Sequence, residues 1–469
     1  MKFITLLYDN NPLDINMDQA IKIKKGLDIH LAGKPEETTK STIVSPYYTV
    51  FPDDFSGFVP KVMVKAGEEV AAGTPLMYDK NHPSIQVVSP VSGKVATIER
   101  GEKRKLQSIV IQAEKTNRYL FFGKKNLKSL SPETIKESLA QAGILAFIRQ
   151  RPYDCIVCPE DTPRDIFVSG FFSAPLAPNV EYIIRGREAD FQTGLNALAA
   201  ITSGKVYLSI RPDCKMQALK NAENVQIVSF EGPHPAGNAS VQISHIQPVN
   251  KDEVVWTVNP QDVLLIGCFF RLGIVDMTRL VALVGSEVNE TDRAYYPMII
   301  GAGIQNLVKC SVTECIDLRY ISGNVLTGTH IGANGSLHAG DNQITVIPEG
   351  DEVNDFLGWM KPDWIVNGIN RWINPSRERT EYAPDARLKG GERAMIMSNE
   401  WDRVFPMDIL PEFLIRAILG GDTEKMEKLG IYEVAPEDFA LCEYIDTSKM
   451  ELQKIVRQGL DQLKMDNRK

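Results

Sequence analysis

Long apolar runs are scarce in this sequence of 469 residues. The longest, Val263–Phe270 (VLLIGCFF), ends at Arg271 and is far shorter than the ~20 residues that cross a bilayer. At the N-terminus, residues 3–8 form a short apolar stretch that Asp9 interrupts, which is too short for a secretory signal. We therefore expect neither a transmembrane helix nor a signal peptide, and membrane contact only through a partner or a surface loop.

Excess positive charge and a cysteine framework are also lacking. Fifty-two Lys and Arg against sixty Asp and Glu leave a net charge of −8, which argues against nucleic acid as a partner. Seven cysteines in so long a chain do not indicate disulfides and suit a reducing, cytoplasmic compartment. Cys155 and Cys158 form a lone C-x-x-C; structural thiols are favoured over a redox dithiol, and a metal or cluster site would need further cysteines.

Phosphate-binding motifs are missing as well. The sequence contains neither G-x-G-x-x-G after a strand nor G-x-x-x-x-G-K-[ST]. The glycine-rich segment 232–237 (GPHPAG) follows a predicted strand, but its two prolines remove backbone donors that a phosphate would use. A rigid turn is favoured there. His234 is either a proton donor in this loop or, as the simpler alternative, a histidine that stabilises the turn.

The length predicts roughly three domains, since domains average ~150 residues. Residues 57–112 alternate short strands with glycine turns, as in VKAGEEVAAGTPL and SPVSGKV, which predicts a small β-sandwich. These two phrases resemble the halves of a biotinyl/lipoyl-like barrel-sandwich domain. Lys80 lies where such a domain carries a modified lysine, but its Asn-His-Pro context favours a purely structural use of the fold.

From residue 133 onwards strands alternate with helices, which predicts a Rossmann-like, doubly wound parallel sheet with a ligand cleft at the carboxyl ends of its strands. The predicted strands are 166–171, 205–210, 225–230 and 279–284. Residues 317–349 are typical of a β-rich module of the β-grasp, soluble-ligand-binding type. His330 and His338 lie in it, but their spacing gives little reason to expect a metal. After residue 400 the composition becomes helical.

The predicted organisation is therefore an α/β multidomain protein. Its parts are an N-terminal segment 1–56, a barrel-sandwich domain 57–125, a Rossmann-like domain 126–300, a β-grasp module 301–395 and a C-terminal helical domain 396–469.

This order of parts resembles the family that includes the flavin subunit of respiratory complex I and the C subunit of the Rnf complex. Within it, the chain is most similar to the A-subunit family of Na+-translocating NADH:quinone reductases. The phrases that carry this resemblance run in order along nearly the whole chain: IKKGLDI (23–29), GEKRKLQSIV (101–110), FEGPHPAG (230–237), PVN (248–250), SGNVLTGT (322–329), FPMD (405–408) and GGDT (420–423).

The resemblance implies a peripheral subunit of a six-subunit complex on the cytoplasmic face of the bacterial inner membrane. That complex oxidises NADH, reduces a quinone such as ubiquinone and exports Na+, and its membrane-embedded B subunit is the partner expected for this chain. Flavin-binding relatives hold FMN in a glycine-rich loop and a cluster on C-terminal cysteines; here residues 143–154 read GILAFIRQRPYD, and only Cys442 remains in the helical region. We expect no cofactor, no metal and no catalytic residue in this chain, with NADH, flavins and the iron–sulfur cluster bound by partner subunits.

A quinone headgroup needs an aromatic or apolar slot and hydrogen-bond donors to its carbonyl oxygens. Segment 47–58 is dense in aromatics, and His234 is a further polar candidate. The residues proposed for quinone binding are Tyr47, Tyr48, Phe51, Phe55, Phe58 and His234. The alternative is that these aromatics only fill the seam between domains.

Two other functions stay open. The first is a purely structural docking subunit of the same complex. The second is a soluble flavin-dependent oxidoreductase that uses the Rossmann-like cleft, against which the missing phosphate motif argues.

Overall fold

The computed structural model describes residues 20–313, 317–350, 381–388 and 393–467. The predictions for the apolar stretch 3–8, and for residues 351–380 of the expected β-grasp module, concern residues outside this part of the chain. No helix among the described residues has the length and apolar character that crossing a membrane requires.

Two small sheets form the N-terminal sandwich. Their glycine turns behave as the sequence predicts, because Gly67 (φ 88°) and Gly73 (φ 97°) adopt backbone angles that other residues rarely take. One sheet has the order β2-β8-β7-β4 and the other β3-β5-β6. The strands are β2 (Tyr47–Val50), β3 (Pro60–Val62), β4 (Glu69–Val70), β5 (Pro75–Asp79), β6 (Gln86–Val88), β7 (Gly93–Arg100) and β8 (Leu106–Ala113).

The second sheet has a parallel centre with antiparallel additions. Its order is β1-β13-β12-β11-β14-β9-β10, where β13, β12, β11 and β14 are mutually parallel. β1 joins β13 in parallel, whereas β9 and β10 pair antiparallel at the other edge. The strands are β1 (Ile21–Lys22), β9 (Arg149–Arg151), β10 (Cys155–Ile156), β11 (Asp165–Ser169), β12 (Val206–Ile210), β13 (Gln226–Glu231) and β14 (Val255–Val258).

Both faces of this sheet are covered, which explains why strands such as VYLSI (206–210) are buried throughout. Side chains at 166, 168 and 208 pack into one apolar core together with the helices α3 (Glu188–Ile201) and α6 (Pro260–Leu272). Those at 167 and 207 enter a second core with the C-terminal helices. The other helices that precede or connect these strands are α1 (Pro132–Gln141), α2 (Val180–Ile184), α4 (Gln217–Lys220) and α5 (Ala239–Ile246).

The third sheet corrects one strand prediction. The segment expected at 279–284 is a strand, but it lies outside the parallel sheet and pairs with the strands around residues 295–299 and 343–348. The fourth parallel strand is β14, which the sequence-based prediction missed. The third sheet, of order β16-β15-β19-β17-β18, comprises β15 (Thr278–Val284), β16 (Tyr295–Ile299), β17 (Leu318–Ser322), β18 (Thr329–His330) and β19 (Gln343–Pro348), with helix α7 (Gln305–Val308) between β16 and β17.

The described residues from 401 onwards are helices and short 3-10 turns. The helices are α8 (Pro411–Leu419), α9 (Thr423–Lys428), α10 (Ala440–Ile445) and α11 (Leu452–Asp466). Asp422 caps α9 by accepting a hydrogen bond from the backbone N–H of Lys425, and Gly420 and Gly421 separate this helix from α8. These helices pack on the face of the parallel sheet that carries Phe167 and Tyr207.

Candidate functional site

The aromatic segment 47–58 begins as strand β2 and continues into a 3-10 turn, Pro52–Asp54. Strand β2 lies at the edge of the sandwich sheet, where it pairs with β8. Because side chains alternate along a strand, Tyr47 is exposed whereas Tyr48 points into the core. Pro52 at the start of the 3-10 turn restricts the backbone dihedral angle φ to a value that suits the turn. The turn places Phe51 and Asp54 next to His338, which comes from the region of the third sheet.

The structure divides the five aromatics of this segment into two groups. Tyr48, Phe55 and Phe58 are buried, and Phe55 meets Phe147 edge to face with ring centroids 5.5 Å apart. Since Phe147 belongs to the α/β region, Phe55 lies in a seam between the sandwich and that region, with the Phe58 ring 6.1 Å away. Tyr47 is 48% exposed and Phe51 is half-buried, so only these two offer a surface to a ligand.

Phe51 stacks on a histidine that lies far along the chain, between β18 and β19. The rings of Phe51 and His338 lie 4.4 Å apart at an interplanar angle of 10°. His338 Nδ1 forms a 2.5 Å hydrogen bond with Asp54, whose other carboxylate oxygen accepts the backbone N–H of Ala339 at 2.9 Å. Sequence reasoning considered His338 only as a metal ligand and missed this pairing, because 284 residues separate His338 from Asp54.

Two opposing effects act on the pKa of His338. Burial lowers it, but the hydrogen bond and the negative charge of Asp54 raise it more, so the net shift is upward. Asp341 is close enough to interact electrostatically with both His338 and Asp54. Burial raises the pKa of Asp341 to about 6, although the Ser322 hydroxyl donates a hydrogen bond to its carboxylate at 2.6 Å. The imidazole is thus oriented by a carboxylate and well suited to donate from its second nitrogen.

The space beneath Phe51 is small. The cavity lined by Phe51, Asp54, Phe55, Phe147 and Ala339, among others, holds ≈ 10 Å³, whereas ligand pockets usually hold ~300 Å³ or more. A ring-shaped ligand would therefore lie against the outer surface of Phe51 and His338.

His234 is located elsewhere, at the carboxyl ends of the parallel strands. Its Nδ1 lies 3.0 Å from the Ser173 hydroxyl, and its backbone N–H donates to Asp28 at 2.8 Å. Ser173 also accepts the backbone N–H of Gly237, and burial lowers the pKa of His234 to about 4. These contacts are those of a turn-stabilising histidine, and the N-terminal segment around Leu27 and Asp28 packs against this edge of the sheet, where the sequence predicts a cleft.

A larger cavity of ≈ 260 Å³ adjoins the C-x-x-C pair. Cys155 is buried in β10, whereas Cys158 is partly exposed and lies beside His82 and Glu160. Burial and the hydrogen bond to Glu160 raise the pKa of the Cys158 thiol to about 12, so it is not a thiolate nucleophile as it stands.

Three successive regions of the chain match known protein families. Residues 21–114 match the NqrA N-terminal barrel-sandwich hybrid domain, residues 130–275 the NqrA second alpha/beta domain, and residues 280–333 the NQRA C-terminal domain. The barrel-sandwich and α/β parts of the predicted fold are thereby confirmed.

Whole-length relatives agree with these matches. The A subunit of the Na(+)-translocating NADH-quinone reductase of Neisseria meningitidis serogroup A is 34% identical over 450 residues, 95% of this chain and 100% of the relative. The corresponding protein of Yersinia pseudotuberculosis is 35% identical over 456 residues with the same coverage. Among solved structures, an NAD+-reducing [NiFe]-hydrogenase in the air-oxidized state aligns with 66% of this chain and 70% of its own at a TM-score of 0.32 and 11% identity.

Proposed function

Because the chain belongs to the A-subunit family of the Na(+)-translocating NADH-quinone reductase, we propose that it serves that enzyme complex as a peripheral, non-redox subunit that contributes to the quinone site. The observation that carries the proposal is the stacked pair of Phe51 and His338. An aromatic face beside an oriented donor is the combination by which proteins hold a quinone ring and one of its carbonyl oxygens.

Not all of the residues that the sequence suggests for quinone binding have the same role in this proposal. Tyr47 and Phe51 offer ring surface to a ligand, and His338, whose side chain is 18% exposed, reaches it at one edge. Tyr48, Phe55 and Phe58 support them from the core, and His234 serves the turn in which it lies. His338 positions the carbonyl oxygen through its second ring nitrogen, while electrons arrive from cofactors in other subunits.

The proposal extends to the rest of the complex. NADH, the flavins and the iron–sulfur cluster bind to partner subunits, the membrane-embedded B subunit is the neighbour of this chain, and the chain lies at the cytoplasmic face of the membrane. We propose likewise that the parallel sheet is Rossmann-like, that residues 301–395 form a β-grasp module and that residues 396–469 form a helical domain. The proposed domain bounds are residues 56, 125, 300 and 395.

The test uses the assembled complex with Phe51→Ala or His338→Gln in this chain. Loss of a stacking contact of about 0.5–1.5 kcal/mol should raise the KM for quinone about 2- to 10-fold. Phe413→Ala is the control, since it removes an exposed phenylalanine ring (47% exposed) on α8 that is not part of the stacked pair. NADH oxidation with an artificial electron acceptor should be unchanged in all three variants.

A photoreactive quinone separates this proposal from the alternatives. Labelling of residues 47–54 or 338, lost in Phe51→Ala, is expected. If the complex depends on this chain but the quinone never labels it, the purely structural docking role is correct. A flavin absorption band in the purified chain would instead favour the soluble flavin-dependent oxidoreductase.

A further inference from the structure

The loop after Asp79 in the sandwich and the segment after β10 in the α/β region meet at one point of the surface. There, His82 from the loop approaches Cys158 and Glu160. Among the described residues, these three side chains are the one group of three metal-binding types whose ligand atoms lie within 4.8 Å of one another.

The distances among the three ligand atoms suit a tetrahedral metal. Cys158 Sγ lies 3.8 Å from His82 Nδ1 and 2.9 Å from the Glu160 carboxylate, and His82 Nδ1 lies 3.3 Å from that carboxylate. With bonds of about 2.0–2.3 Å, neighbouring ligands of a tetrahedral Zn²⁺ lie about 3.3–3.6 Å apart. Two of the three separations already lie in or near this range, and the short sulfur–oxygen contact is the thiol hydrogen bond that a metal would replace.

The backbone of this cluster is held in place by side chains around it. The buried carboxylate of Asp79 accepts the backbone N–H of His82 at 3.1 Å, and the Gln150 side chain accepts that of Cys158 at 3.1 Å. Glu160 is mostly exposed and free to adjust its side chain. Two ligands are therefore positioned before a metal arrives, which lowers the entropy lost on binding.

From these contacts we infer that His82, Cys158 and Glu160 form a mononuclear zinc site with its fourth position open to the adjoining cavity. Sulfur, imidazole and one carboxylate are a ligand set that Zn²⁺ takes readily and that hard cations such as Mg²⁺ or Ca²⁺ avoid. The cavity of ≈ 260 Å³, lined also by Tyr153, Lys464 and Asn467, leaves room for water or a small anion as the fourth ligand. Binding releases the thiol proton of Cys158 to solvent as the Zn–S bond forms.

The site would join two domains. His82 belongs to the sandwich, Cys158 and Glu160 to the α/β region, and 76 residues separate His82 from Cys158. The sequence-based expectation of no metal rested on the spacing of candidate ligands along the chain. Such spacing does not reveal a site whose ligands come from two different domains. Zn²⁺ carries no redox chemistry, so the inference is independent of the proposed quinone role.

Cobalt is the probe that tests the site. The untagged full-length chain, stripped by a chelator, should bind one Co²⁺ per chain with tetrahedral visible bands and a sulfur-to-cobalt charge-transfer band, and Zn²⁺ should displace it. Cys158→Ser should abolish the charge-transfer band and weaken Zn²⁺ binding by at least about 100-fold, beyond what loss of an outer-shell partner costs. His82→Gln should weaken binding similarly.

Two other cysteines provide matched controls. Cys155→Ala, three residues away and buried, and Cys310→Ser, exposed, should both keep the band. Zn²⁺ should raise the Tm of the wild-type chain and of these controls but not that of Cys158→Ser, whose metal-free Tm reports that it folds. An octahedral spectrum without a charge-transfer band, or a band that survives Cys158→Ser, would overturn the inference.

Discussion

Two histidines of this chain show how surroundings set the protonation of one residue type. His234 is buried against a neutral serine hydroxyl, so desolvation alone acts and lowers its pKa to about 4. His338 is also largely buried, yet Asp54 faces it and the net shift is upward. A carboxylate partner therefore distinguishes the histidine suited to ligand contact from the one that stabilises a turn.

The neutral state of His234 predicts a pH-dependent stability. Below pH 6.5 the unfolded chain takes up a proton that the folded chain refuses until about pH 4, so the free energy of unfolding falls as the pH is lowered through this window. Between pH 7.5 and pH 5 the loss assigned to His234 is about 2 kcal/mol.

Urea denaturation of the wild-type chain and of His234→Gln at both pH values measures this loss. Other titrating groups act equally in both proteins, so the difference between the two pH dependences isolates His234. Equal pH dependence in both proteins would show that folding does not lower the pKa of His234.

Among the helices and strands, a buried ion pair ties α6 to β15 and so joins the parallel sheet to the third sheet. Arg279 on β15 bonds Asp262 near the start of α6, and both residues are buried. Asn342 accepts from Arg279 at 3.2 Å and from Gln261 at 2.8 Å, which extends the contact towards β19. These contacts link β15 to the α/β region that precedes it in sequence, although β15 belongs to another sheet.

Removal of one partner of this pair should be costly. Arg279→Met leaves the Asp262 carboxylate buried without its cation, which should reduce the free energy of unfolding by about 3–5 kcal/mol. The double variant Arg279→Met/Asp262→Leu should recover at least half of that loss, since no charge remains buried.

Chemical denaturation of the single and double variants measures both effects. Arg118→Met is the control, because the exposed ion pair of Arg118 with Glu114 should contribute less than about 1 kcal/mol. A double variant as unstable as the single one would mean that packing, and not the uncompensated charge, dominates.

Across the molecule as a whole, the last helix reaches back to the first domains. Arg457 on α11 donates to the backbone carbonyls of Tyr153 (2.6 Å) and Asp154 (2.9 Å) and to the hydroxyl of Ser56 (3.1 Å). Gln453 on the same helix donates to the carbonyl of Leu326, next to the third sheet. One helix thus contacts three regions that are far apart in sequence.

Loss of these bonds should loosen the C-terminal helices before the rest of the chain. Arg457→Met should cost about 2–4 kcal/mol, because bonds from a charged donor are stronger than neutral ones. Hydrogen exchange should accelerate in residues 452–466 and not in β11 or β12.

Lys454→Met on the same helix is the matched control. Its side chain and that of its partner Glu451 are largely exposed, so the change should stay within about 0.5 kcal/mol. Uniform acceleration of exchange across the chain would contradict a local role for Arg457.

Features that depend on neighbouring residues could be predicted from the sequence. Glycine turns and alternating strands identified the sandwich, three of the four parallel strands were located to within two residues, and ordered phrases along the chain identified the family. These features are local, because backbone preferences and side-chain periodicity act over a few residues.

Which distant side chains meet became known only from the folded chain. Folding stacks His338 on Phe51, brings His82 to Cys158, places the strand at 278–284 in another sheet and buries three of the five aromatics. Contacts of this kind depend on how apolar faces of whole elements pack together, and separations of 76 to 284 residues leave no periodic trace in the sequence.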